Sequence, residues 1–116
     1  MRKLLAFALF AATAFAADIS GTWKFAVETD AGSGTPTFVF KQDGEKLTGT
    51  YSGQLGEAKL TGTVKGDKVE WSFEVSPGGD AVKVTYSGTL DGDSKKMKGT
   101  AQFGALGSGK FTAEKQ

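Results

Sequence analysis

The side chains able to do chemistry are few in this chain, and most are carboxylates set where water surrounds them. Asp30, Asp43, Asp67, Asp80, Asp91 and Asp93 fall in turn-like interruptions, and Glu70 and Glu74 alternate with apolar residues. None is expected in an apolar interior that would tune it as a general acid or base. Asp91-Gly92-Asp93-Ser94 has the opening of a cation loop but lacks the later Glu and further oxygen ligands of a calcium site, so it reads as a hydrophilic turn. Ser76-Pro77-Gly78-Gly79 and Gly104 to Gly109 are glycine-rich, yet they join strand to strand, with no helix N-terminus to receive a phosphate. The chain has no His and no Cys, and Arg2 is its one arginine. That removes the commonest general base, Cys and His metal sites, disulfides and bidentate phosphate clamps. The expectation is a protein that is not an enzyme and holds no metal or cofactor. Two tyrosines, Tyr51 and Tyr86, remain as the hydroxyls expected to face inward.

The elements that position them are strands. From Ile19 onward nearly every second residue is apolar, and each run is interrupted by Gly/Asp-type turns. This predicts an all-β domain, an eight-stranded antiparallel up-and-down meander that hides its one apolar face by closing into a small barrel. A two-residue turn at Asp43-Gly44 would set Phe40 opposite Leu47, and a hairpin centred between Leu55 and Gly56 would set Tyr51 opposite Leu60 and Gly49 opposite Gly62. Gly66-Asp67 would pair Val64 with Val69 and Gly62 with Trp71. The loop Ser76 to Asp80 brings Trp71 beside Tyr86, and the turn Asp91 to Lys96 pairs Leu90 with Met97. Thr, Lys, Glu and Ser fill the alternate positions, the reverse of an outer-membrane barrel, so the outer face is expected to meet water.

Before the strands stands a leader. Arg2 and Lys3, the apolar run Leu4 to Ala12 and the small-x-small signal Ala14-Phe15-Ala16 predict a helical signal peptide over residues 1–16, leaving a single domain over 17–116. Removing 16 of 116 residues leaves 100, and losing Arg2 and Lys3 takes the formal charge from +1 to −1. The expected location is periplasmic or secreted, with no membrane span after cleavage. A nearly neutral, arginine-free surface argues against nucleic acid.

Gly-Thr recurs at 21-22, 49-50, 62-63, 88-89 and 99-100 with the glycine on the apolar face. Such glycines let a small barrel coil tightly beneath large neighbours, or they leave room for a ligand. The longer loops, Thr29 to Thr35, Gln54 to Glu57, Ser76 to Asp80 and Gly104 to Ser108, share one end, so a mouth belongs there. A small hydrophobic ligand would be walled by Phe38, Tyr51, Leu60, Phe73, Val84, Tyr86 and Phe103, with space from Gly49, Gly62, Gly88 and Gly99.

Gly21-Thr22-Trp23 at the first strand, followed by Leu47-Thr48-Gly49-Thr50-Tyr51, resembles the avidin and lipocalin (calycin-type) barrels. The resemblance implies a tryptophan at the closed end, matched by Trp23, and a ligand at the open one. Avidins place an asparagine two residues after that tryptophan and a serine two after the tyrosine, to hold biotin's ureido group. Here those positions are Phe25 and Gly53, and only Tyr51 is kept. Lipocalins commonly cover the tryptophan with an arginine, which no position in the barrel supplies. The chain is also similar to small secreted bacterial β-domains without known activity. Two functions follow as expectations: a barrel binding a small apolar ligand at its loop end, or a structural or protein-interaction module with a solid core. The oligomeric state is left open.

Overall fold

The computed structural model describes residues 18–30, 32–76 and 78–116, so the expected leader at 1–16 lies outside the described residues. Apolar/polar alternation produces the strands β1 (Gly21–Thr29), β3 (Thr37–Asp43), β4 (Lys46–Gly53), β5 (Gly56–Lys65), β6 (Lys68–Val75), β7 (Val82–Leu90), β8 (Lys96–Gln102) and β9 (Ser108–Lys115), whereas β2 (Gly32–Gly34), inside the segment expected to be the loop Thr29 to Thr35, has no apolar residue and is a strand because it pairs with the end of β1. All adjacent pairs are antiparallel, and β1 also pairs with β9, which closes the sheet.

The nine strands make eight staves. Gly21 pairs with Phe40 and Val27 with Gly34, so β2 and β3 lie on β1 in one continuous register. Pro36 interrupts them because it has no N–H for the ladder. Its carbonyl still accepts a hydrogen bond from the Phe25 amide at 3.1 Å, which keeps the register across the break. The all-β, eight-stave barrel predicted from the alternation is the observed fold.

Two turns differ from the prediction. The β3–β4 turn is Gly44-Glu45 rather than Asp43-Gly44, with Asp43 opposite Lys46 and Phe40 opposite Gly49. Gly44 sits at φ 64 while Glu45 does not have a positive φ, the pattern of a turn with glycine at its first central position. The β4–β5 turn is Gln54-Leu55, and Tyr51 faces Ala58 rather than Leu60. Both displacements are by two residues, so every side chain keeps its face. The physical gain is in packing. In the predicted register Gly49 and Gly62 would stand side by side; in the observed one Gly49 lies between Phe40 and Leu60, and Gly62 between Leu47 and Trp71. The pairs Val64–Val69, Trp71–Tyr86 and Leu90–Met97 are as predicted.

The interior is a single cluster of rings. Phe25 at its centre lies 4.5 Å from Phe38 and 5.0 Å from Phe111, Trp71 stacks on Tyr86 at 5.2 Å, and Tyr51 stacks on Phe73 at 4.4 Å. Offset and edge-to-face pairs of this kind add to what area burial alone contributes. Among the described residues no buried residue is charged, and the one exposed large hydrophobic is Val39 at 45%.

The inward glycines do not leave space. A Cβ on Gly62 would run into the Glu70 carbonyl and lie 2.6 Å from the Trp71 Cα; on Gly49 it would strike the Val39 carbonyl, and on Gly99 the Ser87 carbonyl. At Gly88 it would meet the Met97 sulfur at 2.7 Å and the Phe111 ring at 2.9 Å. The alternative that this strip makes room for a ligand is therefore corrected. The coiled sheet brings neighbouring backbone or side chains into the volume a side chain would need.

The tight-turn end is sealed by the residues leading into β1. Ile19 is fully buried; its carbonyl accepts the Trp23 indole N–H at 2.9 Å, and its amide donates to Gln42 Oε1 at 2.9 Å. A main-chain carbonyl thus supplies the polar partner of the closed-end tryptophan.

Candidate functional site

The loop end is where side chains of opposite staves fail to meet completely. A cavity of about 230 Å³ opens there, walled by Val27, Pro36, Tyr51, Leu55, Tyr86 and Phe103 and rimmed by Thr29, Gly32, Ser33, Gly34, Thr35 and Gln54. Seven parts of the chain meet at it: the end of β1, β2, the β2–β3 break, the end of β4, the β4–β5 turn, the middle of β7 and the residue after β8.

Each wall has a local cause. The two-residue turn Gln54-Leu55 folds Leu55 back toward the barrel axis, where its amide donates to the Tyr51 hydroxyl at 3.3 Å. Gly53 allows this, since a Cβ there would come within 2.6 Å of that hydroxyl oxygen and 3.1 Å of Pro36 Cβ. Tyr86 is held by Trp71 beneath it and by Phe73 and Phe103, with ring centroids 6.0 and 6.3 Å away. Its ring is 1% exposed, and its hydroxyl finds no hydrogen-bond partner among the described residues.

Burial pushes the Tyr86 phenol well above its ordinary range, and the neighbouring Tyr51 hydroxyl adds to the shift. Burial raises Tyr51 as well, partly offset by the Leu55 amide. Both groups are therefore neutral donors at physiological pH. In the unfolded chain a phenol ionises near pH ~10, so the unfolded state loses these protons first as pH rises. Stability is expected to fall above about pH 10, by up to about 1.4 kcal/mol per pH unit for Tyr86 with Tyr51 acting in the same direction, and to be independent of them below. Urea midpoints taken from about pH 8 to about pH 11 measure this slope, and Tyr86→Phe is expected to reduce it.

Of the residues expected to wall a ligand, Tyr51, Tyr86 and Phe103 line the cavity. Phe38, Leu60, Phe73 and Val84 point inward but lie below it, sealed in the core. Gln54 and Leu55 enter the lining from the loop Gln54 to Glu57 expected at the mouth, and Pro36 joins them from the break before β3. Leu55, an apolar residue inside a turn, is the signal that could have marked the lip. Phe25, at the position where avidins carry a ligand-holding asparagine, is a central core ring, and the space beside Gly53 is taken by the Tyr51 hydroxyl.

A broader concavity of about 910 Å³ crosses the outer face over Lys24, Ala26, Lys98 and Thr112. It is the solvent side of β1, β8 and β9, lined mainly by exposed Lys and Thr side chains, and builds no site. The Asp91–Lys96 turn closes on itself: Ser94 N donates to the Asp91 carbonyl at 3.0 Å and Lys95 N to Asp93 Oδ1 at 3.1 Å. Its contact with the Asp91 side chain and the Lys95 amide that donates to it hold the Asp93 carboxyl below its ordinary range. Among the described residues no three acidic, His or Cys side chains gather to hold a metal.

No protein-family model matches the chain, and no curated protein matches its sequence.

Proposed function

We propose that this chain is an exported, non-catalytic barrel of lipocalin/avidin type that holds one small apolar molecule in its loop-end cavity. The carrying observation is the cavity itself, apolar on most of its walls and furnished with two tyrosine hydroxyls. Convergent polar groups in an apolar recess are the usual composition of a small-molecule site. Export to the periplasm or beyond is supported by Arg2, Lys3, the apolar run and Ala14-Phe15-Ala16. At about 230 Å³ the cavity is smaller than the ~300–1,000 Å³ common for ligand pockets, which favours a compact ligand.

Native mass spectrometry of protein purified from its own host tests this directly, the expected result being a bound small molecule. In solution, a compact apolar fluorescent probe should bind with one-to-one stoichiometry. Leu55→Trp fills the mouth while keeping the backbone amide that Tyr51 accepts from. It should weaken the probe about ten-fold or more with less than about 1 kcal/mol change in stability. Probe binding unchanged in Leu55→Trp would move the site elsewhere.

The densely packed ring cluster favours a second reading, a structural or protein-interaction module that acts through its surface. A protein that carries no small molecule from its host and takes up no probe would favour that reading.

A further inference from the structure

We propose that the loop-end cavity selects an uncharged, compact ligand bearing a hydrogen-bond acceptor such as a ketone, aldehyde or lactone carbonyl, which receives its hydrogen bond from the Tyr86 hydroxyl. This rests on the cavity being a ligand site, and it names what that site recognises.

Three observations carry it. The first is the orphan hydroxyl. Tyr86 is 1% exposed, its ring is fixed against Trp71 and Phe73, and its hydroxyl lines the cavity without a partner among the described residues. A polar group held in an apolar recess discriminates strongly in favour of a ligand that pairs with it. The second is direction. The Tyr51 oxygen already accepts the Leu55 amide, and both phenols are protonated at neutral pH, so each has an O–H to donate to a ligand. The third is charge. No described lining residue is Lys, Asp or Glu, so neither a carboxylate nor an ammonium would find a counter-charge there.

The experiment uses two probes of nearly identical shape, acetophenone and α-methylstyrene, which differ by an oxygen in place of a methylene. Both are titrated into the folded wild type and into Tyr86→Phe, with near-ultraviolet circular dichroism confirming that the variant keeps its core. Comparing each probe across the two proteins removes their different solubilities in water. The expected result is that Tyr86→Phe weakens acetophenone about ten-fold or more while α-methylstyrene binds equally well or tighter. A second readout does not need the variant: the infrared carbonyl stretch of bound ¹³C-acetophenone should lie below its position in hexane.

Equal changes for both probes, or a bound carbonyl stretch matching hexane, overturn the assignment of Tyr86 while leaving the cavity as a binding site. Failure of both probes to bind the wild type overturns the site and the recognition together.

Discussion

Trp71→Ala is expected to cost about 3–5 kcal/mol, a large share of the stability of a domain this size. The indole is 1% exposed and touches rings on every side, with Phe40 at 5.0 Å, Tyr86 at 5.2 Å, Phe38 at 5.5 Å and Phe25 at 5.7 Å. Removing it leaves a void that the surrounding rings cannot close, because each is packed against the next stave. Its Nε1 is buried and has no hydrogen-bond partner among the described residues. Trp71→Phe therefore gives up no hydrogen bond and should cost less than the alanine variant. Chemical denaturation of the three proteins measures the series. A Trp71→Ala protein with the wild-type midpoint would remove the indole from the core.

Gly62→Ala is the second large effect, about 3 kcal/mol, from a single added methyl group. At this position the new carbon collides with backbone, the Glu70 carbonyl and the Trp71 Cα, so β5 and β6 must separate where Gly62 pairs with Trp71. A flexible side chain could yield; a paired strand does so only by losing its ladder. Gly78→Ala is the control, since a Cβ there meets nothing within 4 Å, and its effect should stay within about 0.5 kcal/mol. Gly62→Val should be no better tolerated than alanine. Equal melting of Gly62→Ala and Gly78→Ala would mean that the β5–β6 contact is looser than described. The same test bears on the cavity, because an inward glycine strip occupied by backbone leaves the loop end as the place where a small molecule enters.

Most of the barrel is legible in the sequence. Alternation assigned Trp23, Phe38, Tyr51, Val64, Trp71, Tyr86 and Met97 to one face, and each is buried. Phe111 and Ala113 follow the same alternation in β9 and complete the core. The register was legible wherever one turn dominated, as at Gly66-Asp67, and slipped by two residues at Gly44-Glu45, where Gly44 can take either central turn position, and at Gln54-Leu55, which Gly53 and Gly56 flank.

The sequence by itself determined the class of fold, the sidedness of the strands that alternate, and the absence of imidazole, thiol and barrel arginine chemistry. Those follow from local rules: a period of two decides which face a residue takes, and composition decides which functional groups exist. Tertiary structure alone decided which inward residues touch a cavity and which are sealed under it. Phe38 and Tyr51 are neighbours across β3 and β4 and share a face, yet one lies in the core and the other lines the mouth. That difference depends on how far each stave rises relative to its neighbours and on where the Leu55 turn and the Pro36 break close over the end. Those are distances between residues far apart in the chain, and alternation, being a property of adjacent residues, does not contain them.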